Sequence, residues 1–99
     1  MTVTVVFEIT ARPEYRDALV KFMHENLGDT RAWKGCRHVD YLIEQDDPNH
    51  IVVWQHWDSR AQYEEYFKWR REGGSVASIS PWVTGPPTVR YYDSARQWT

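Results

Sequence analysis

Residues 51–67 of this 99-residue chain read IVVWQHWDSRAQYEEYF and combine a strand pattern with a helix pattern. Successive side chains of a strand point to opposite faces of its sheet, so Trp54 and Trp57 would lie on different faces. Ser59 is a typical helix N-cap, and Gln62 stands three residues later as its capping-box partner. The stretch therefore predicts a strand that ends near Trp57 and leads directly into a helix.

Both faces of this strand, predicted over residues 50–57, carry large apolar side chains. One face has Ile51, Val53 and Trp57, and the other has Val52, Trp54 and His56. A strand with one face in water normally places polar residues on that face. We therefore expect burial of both faces. A second copy of the chain would supply the second cover, which predicts a homodimer with Trp54 at its interface.

The other segments complete a β-α-β-β-α-β order. Alternation predicts a strand over 2–11, and helical spacing predicts a helix over 13–28, with Pro13 in its first turn and Gly28 as its stop. Residues 29–36 are expected to form a short connection. The later elements are a strand over 37–45, a turn at 46–49, a strand over 50–57, a helix over 59–72, a loop over 73–87, a strand over 88–93 and an unassigned tail, 94–99. This order predicts one domain over residues 1–99 with the ferredoxin-like α+β fold, a four-stranded antiparallel sheet with two helices on one face.

Composition argues against several classes of protein. The formal net charge is −2 and no basic cluster appears, which argues against a nucleic-acid partner. No run approaches the roughly 18 apolar residues that span a bilayer, and the N-terminus lacks the positive region of a signal peptide. The single cysteine, Cys36, is expected to be a small buried hydrophobe, and its isolation favours a cytoplasmic location.

Five local motifs occur along the chain in a characteristic order. They are Ala11-Arg12-Pro13-Glu14, Trp33-Lys34-Gly35-Cys36, Asp46-Asp47-Pro48-Asn49, Trp57-Asp58-Ser59-Arg60-Ala61 and Gly85-Pro86-Pro87. In this order they resemble the antibiotic biosynthesis monooxygenase domain, and they cover nearly the whole chain. The resemblance implies a dimeric ferredoxin-like α+β barrel, which agrees with the homodimer expected from the strand pattern.

The heme-degrading branch of that family resembles this chain less well. That branch carries an Asn on the first strand and a Trp and a His on the second long helix. Here residues 2–25 contain no Asn, Tyr66 stands at the position of that Trp, and no His lies between residues 57 and 99. Heme degradation is therefore disfavoured, and no cofactor is expected.

The chain is more similar to the cofactor-free branch that oxidises aromatic polyketide phenols or anthrones to quinones with dioxygen. The Tyr, Trp and Tyr of that branch correspond to Tyr41, Trp57 and Tyr63. The branch also carries an Asn where this chain has Val53, so a polar group for a substrate oxygen is missing. The resemblance implies a monooxygenase for an electron-rich aromatic. The alternatives are a non-oxidative small-molecule isomerase and a dimeric ligand-binding module on the same scaffold.

Such a reaction needs a dry aromatic slot, a hydrogen bond to an anionic oxygen and a base. His38 is the best base candidate, since His24 is expected in solvent, His50 in a turn and His56 at the dimer interface. The four histidines show no metal-ligand spacing, so no metal is expected. The catalytic candidates are Trp57, Tyr63, Tyr41 and His38, and the substrate-binding candidates are Phe7, Val53, Tyr66, Phe67 and Arg70.

These candidates also have structural interpretations. Trp57 could serve only the strand–helix junction, and a helix stripe such as the one that begins at Tyr63 is core more often than ligand site. Pairing of Gln45 with His50 would turn Tyr41 away from Trp57, whereas an odd-length loop or a bulge would bring both to one face. Two arginines on strands, Arg37 and Arg90, could hold an anionic oxygen inside the barrel or pair with a carboxylate, and pairing is the role we expect.

Overall fold

The computed structural model describes residues 2–95, so most of the tail that the sequence left unassigned lies outside the described residues. One 3-10 turn, Pro13–Tyr15, precedes the first long helix, and another, Ser80–Trp82, directly follows the short helix at Ser75–Ile79. The main elements are β1 (Val3–Thr10), α1 (Arg16–Ala32), β2 (Cys36–Ile43), β3 (His50–Trp57), α2 (Arg60–Glu72), α3 (Ser75–Ile79) and β4 (Thr88–Asp93). The predicted ferredoxin-like fold is confirmed, and α3 with its following turn replaces part of the loop expected over 73–87.

The four strands form one antiparallel sheet in the order β2-β3-β1-β4. Phe7 in β1 stands opposite Val53 in β3 and Val89 in β4, so these three residues share a face. Leu19 of α1 and Tyr63 of α2 pack in the core on that face. We call it the covered face. The opposite side of the sheet, the open face, has no helix over it within residues 2–95.

The first helix is longer than predicted. α1 begins at Arg16 and continues through Gly28 to Ala32, so the stop at Gly28 and the connection over 29–36 were wrong. An interior glycine costs about 1 kcal/mol relative to alanine, which tertiary contacts can offset. One such contact joins the next turn to α2, because Thr30 Oγ1 lies 2.6 Å from Tyr66 Oη in a hydrogen bond.

The hairpin between β2 and β3 has an odd-length loop, one of the two possibilities that the sequence did not decide between. Its loop is 45–49, and a bulge interrupts β2 between Cys36 and His38. Tyr41 consequently stands opposite Val53 and shares the covered face with Trp57. The register with Gln45 opposite His50 is not the one observed.

The junction between β3 and α2 follows the predicted capping pattern in part. Ser59 Oγ accepts a hydrogen bond of 3.2 Å from the backbone N–H of Gln62, which confirms the N-cap. The reciprocal contact differs from a capping box, because the Ser59 hydroxyl donates to Gln62 Oε1 at 3.0 Å. The cap places Tyr63 in the first turn of α2, six residues after Trp57 at the end of β3.

Within residues 2–95, none of the helices has the length and apolar character that crossing a membrane requires.

Candidate functional site

A cavity with about 80 Å³ of free volume lies between α1, α2, α3 and the covered face of the sheet. A single water needs roughly 10–15 Å³ by the same measure, so the cavity can hold several water-sized groups. Its lining is mainly apolar, as is typical of small-molecule sites. The apolar lining residues are Phe7, Phe22, Met23, Leu27, Val53, Phe67, Val76 and Ile79.

One helix stripe of α2 supplies an aromatic wall of this cavity. Tyr63, Tyr66, Phe67 and Arg70 recur at spacings of three and four, so they share one side of the helix. The rings of Tyr63 and Phe67 stack, with centroids 5.9 Å apart and an interplanar angle of 11°. All four residues line the cavity while most of their surface is buried, so the stripe is core and cavity wall at once.

Trp57 lies behind this wall. It is 0% exposed, does not line the cavity and meets the Tyr63 ring edge-on, with centroids 5.5 Å apart. Its Nε1–H donates a hydrogen bond of 3.0 Å to Oε1 of Gln55, which does line the cavity. Trp57 therefore positions a polar cavity residue. The sequence analysis missed Gln55, although a glutamine on the covered face of β3 was a visible departure from the apolar pattern.

The Tyr63 hydroxyl is a hydrogen-bond donor in this setting. Burial raises the pKa of Tyr63 far above its ordinary value, and the neighbouring Tyr66 and Tyr91 raise it further. A side-chain hydrogen bond with Gln55 lowers this pKa, but only in part. A phenol in such an environment keeps its proton at neutral pH. Tyr63 can thus donate to a ligand oxygen, and it is a poor base.

Arg70 joins the two long helices beside the cavity. Its Nε–H donates to Tyr66 Oη at 2.9 Å, and its Nη2 donates to the Asn26 carbonyl at 2.8 Å and to Thr30 Oγ1 at 3.2 Å. Arg70 is only 8% exposed. Asn26 lies near the helix end that the sequence predicted at Gly28, and Thr30 lies beyond it. The sequence analysis therefore missed both residues.

Besides Trp57, two further predicted catalytic residues lie outside the cavity lining. Tyr41 is on the covered face but does not line the cavity, and its buried Oη has no hydrogen-bond partner among residues 2–95. Its pKa is raised by burial, which the charge of Arg16 partly offsets. His38 is on the open face, opposite His56 and 2.9 Å from Asp40. The prediction that His38 is the base in the slot is therefore wrong for this cavity, because the strand directs it to the other side of the sheet.

The two strand arginines form the predicted ion pairs. Arg37 holds Asp58 through two contacts of 2.6 and 3.1 Å, and this pairing lowers the pKa of Asp58. Arg90 lies 3.6 Å from Glu8 on the open face. Neither arginine lines the cavity, so neither is available there for a ligand.

The remaining titratable candidates also lie outside the cavity. Cys36 is buried as predicted, and that burial raises the pKa of its thiol. His24 is exposed on α1, and His56 is on the open face, 3.1 Å from Thr4 Oγ1. His50 begins β3 instead of lying in a turn. Within residues 2–95, no three His, Cys, Asp or Glu side chains gather in a way that could hold a metal ion.

A family model described as "Antibiotic biosynthesis monooxygenase" matches residues 2–70 of the chain. A search of curated proteins gave no significant match.

Solved structures give the same fold. The structure of Rv0793 from Mycobacterium tuberculosis matches with a TM-score of 0.86 and 23% identity over 100% of both chains. A structure described as an antibiotic biosynthesis monooxygenase matches with a TM-score of 0.84 and 23% identity, over 95% of this chain and 99% of the other. The protein NE2512 of unknown function from Nitrosomonas europaea matches with a TM-score of 0.83 and 15% identity, over 99% of this chain and 93% of the other. At these identities the likeness shows the fold alone.

Proposed function

The chain belongs to the antibiotic biosynthesis monooxygenase family, and we propose that it is a cofactor-independent monooxygenase of the quinone-forming branch. Its substrate would be an electron-rich aromatic, a polyketide-like phenol or anthrone, which dioxygen converts to a quinone. The observation that carries this proposal is the apolar, aromatic cavity with Tyr63 among its lining residues. The raised pKa of Tyr63 supports a role of its hydroxyl as a hydrogen-bond donor.

The proposed reaction balances with one dioxygen consumed and one water released. The substrate loses a proton and becomes an anion, and the anion passes one electron to dioxygen. The two radicals combine to a peroxide, which loses water and leaves a carbonyl where the substrate had a C–H or CH₂ group. In this scheme the protein binds the flat ring, excludes water and stabilises the anionic oxygen.

Particular residues would carry these tasks. Phe7 and Phe67, whose ring centroids lie 6.1 Å apart at an angle of 66°, would bound the flat ring of the substrate. Tyr63 would donate a hydrogen bond to its anionic oxygen. Gln55, held by Trp57 at 3.0 Å, would offer an amide in the role of the Asn that the branch carries where this chain has Val53.

A second candidate is a non-oxidative ligand-binding module. The observation that favours it is the lining of the cavity, which includes no Asp, Glu, His or Cys among residues 2–95. Without a base, the monooxygenase reaction depends on a substrate that is acidic enough to ionise by itself. The alternative predicts binding of the same aromatics without oxygen consumption.

We also propose that the open face pairs with a second copy of the chain. Three large hydrophobic residues are exposed on that face: Leu42 at 45%, Trp54 at 40% and Tyr92 at 48%. They cross the face diagonally, from Leu42 on β2 through Trp54 on β3 to Tyr92 on β4. Several exposed apolar groups on one face favour an interface. Sedimentation should give about twice the chain mass of 11.8 kDa. Trp54→Gln should shift the protein toward monomer, whereas Trp69→Gln, at an exposed position of α2, should not. A wild-type mass near that of one chain would refute the dimer.

Oxygen consumption tests the proposed reaction. With an anthrone or a dihydroxynaphthalene, and without flavin or metal, the wild type should consume oxygen faster than the solution without protein. Tyr63→Phe keeps the ring and removes the donor, so the rate should fall by the order of 10², the typical effect of losing one such hydrogen bond. Tyr15→Phe, at an exposed position outside both the cavity and the open face, is the matched control and should keep the rate. Uptake at the uncatalysed rate with every substrate would refute the monooxygenase and leave the ligand-binding module.

A further inference from the structure

Arg70 is a buried cation whose charge no neighbouring carboxylate balances. A guanidinium has five N–H donors. Three of those of Arg70 are used, and all three acceptors are neutral: Tyr66 Oη, Thr30 Oγ1 and the Asn26 carbonyl. Among residues 2–95, no carboxylate oxygen lies within 4 Å of Arg70, and its Nη1 makes no hydrogen bond.

A purely structural role accounts for only part of this arrangement. Joining α1 to α2 uses Nε and Nη2 and leaves Nη1 without a hydrogen bond. The guanidinium carbon lies 5.4 Å from the centroid of the Tyr66 ring and 5.0 Å from that of the Trp69 ring, so the charge meets aromatic rings but no carboxylate among residues 2–95. Buried charges in proteins are normally paired, because removing them from water is costly. Arg37 and Arg90 have exposed side chains on strands, and each has a carboxylate partner. Arg70 is nearly buried on α2, and it has none among residues 2–95. Arg70 also lines the cavity, so a ligand there could supply the missing negative charge.

We propose that the cavity binds a small aromatic carboxylate, with the carboxylate accepting hydrogen bonds from Nη1 of Arg70. The inference rests on the proposed function for the identity of the site, and it adds that the substrate carries a carboxylate besides its phenolic or anthrone oxygen. The aromatic ring would lie among Phe7, Phe22 and Phe67, which line the same cavity.

The chemistry of the site favours a carboxylate over other anions. A carboxylic acid with a pKa near 4 is ionised at neutral pH, whereas an ordinary phenol with a pKa near 10 is not. A phosphate carries close to two charges and would leave one of them unbalanced beside a single arginine. The mainly apolar lining suits one charged group on an aromatic body. A guanidinium also presents paired N–H groups in a geometry that matches a carboxylate.

The test compares matched ligands that differ only in charge. Benzoate with benzamide, and 2-naphthoate with 2-naphthamide, have nearly the same shape. We expect at least one carboxylate to bind the full chain about ten times more tightly than its amide, measured by calorimetry at low salt. In Arg70→Met this ratio should fall to about one, and in Arg70→Lys it should be reduced. A wild-type ratio near one for both pairs would overturn the proposal.

Lys68→Met separates a direct contact of Arg70 from the general positive charge of α2. This variant removes a cation from an exposed position of α2 outside the cavity lining and keeps Arg70, so the carboxylate preference should persist. A loss of preference in Lys68→Met equal to that in Arg70→Met would contradict a direct contact. If circular dichroism shows that Arg70→Met is unfolded, the wild-type ratio and the Arg70→Lys ratio decide the question.

The ligand test and the oxygen test fail separately. A carboxylate preference without oxygen consumption would leave the anion site standing and refute the monooxygenase. Oxygen consumption without a carboxylate preference would do the reverse.

Discussion

The covered and open faces of the sheet use the same kinds of residue in different ways. Trp57 on the covered face is 0% exposed and donates its indole N–H to Gln55, whereas Trp54, three residues earlier on the same strand, is 40% exposed. Polar groups follow the same division. On the covered face they are mostly neutral and hydrogen-bonded around a cavity. On the open face Glu8 forms ion pairs with His50 and Arg90. The covered face thus encloses a mainly apolar cavity, whereas the open face exposes both apolar and charged side chains.

The largest expected effect comes from exchanging each of these tryptophans for alanine. Trp57→Ala should lower the free energy of unfolding by about 3–5 kcal/mol, because it empties a fully buried position. Trp54→Ala should lower it by less than about 1 kcal/mol in the isolated chain, because the side chain is partly in water. Urea unfolding at low protein concentration measures both. Equal losses in the two variants would break the comparison between the faces.

A smaller effect is expected from removing one hydroxyl on each face. Tyr66→Phe leaves Arg70 Nε without its partner and removes one of the two partners of the Thr30 hydroxyl, so it should cost about 1–3 kcal/mol of unfolding free energy. Tyr92→Phe removes an exposed hydroxyl and should change stability by no more than about 0.5 kcal/mol. Thermal and urea unfolding of the two variants provide the measurement. A Tyr66→Phe variant as stable as Tyr92→Phe would mean that the helix-joining network contributes nothing.

The smallest effect concerns His50 at the edge of the open face. Its pKa is raised above the ordinary 6.5, first by its hydrogen bond to Glu44 and further by the charges of Glu44 and Glu8, against a lowering by burial. A raised pKa in the folded state means that the pairing stabilises the protein fully below about pH 6.5. That stabilisation is lost as the pH rises through the folded-state value. Its size should be below about 1 kcal/mol, since the pair is partly exposed.

The measurement for His50 is the free energy of unfolding between pH 5.5 and 8. The difference between wild type and His50→Asn should shrink as the pH rises. His24→Asn, at an exposed position on α1, is the matched control and should leave the pH dependence of wild type unchanged. The same shrinkage in both variants would show that His50 is not its source.

Most of the fold could be predicted because its signals are local. Alternation located β1 and β3, and Ser59 marked the start of α2. The end of α1 could not be found this way, since the turn after Gly28 is held by the contact of Thr30 with Tyr66 in a distant helix. The face of Tyr41 depended on a loop length that the sequence left open.

The candidate site could be predicted in part for the same reason. Periodicity predicted that the α2 stripe, Phe7 and Val53 point toward the core, and all of them line the cavity. The contributions of α1 and α3 depend on how the helices pack, which periodicity does not specify. His38 was chosen among the histidines without assigning the face of its strand, and the structure places it on the open face, outside this cavity. The catalytic and binding roles of the lining residues stay predictions until activity is measured.

The elevated pKa of Tyr63, in a cavity whose lining among residues 2–95 lacks acids, histidines and cysteine, has a kinetic consequence. An enzyme with a general base shows the ionisation of that base in its pH–rate profile. In the proposed reaction, the profile would instead follow the ionisation of each substrate and move with it from one substrate to the next. The protein would then select among aromatics by their acidity as well as by their shape.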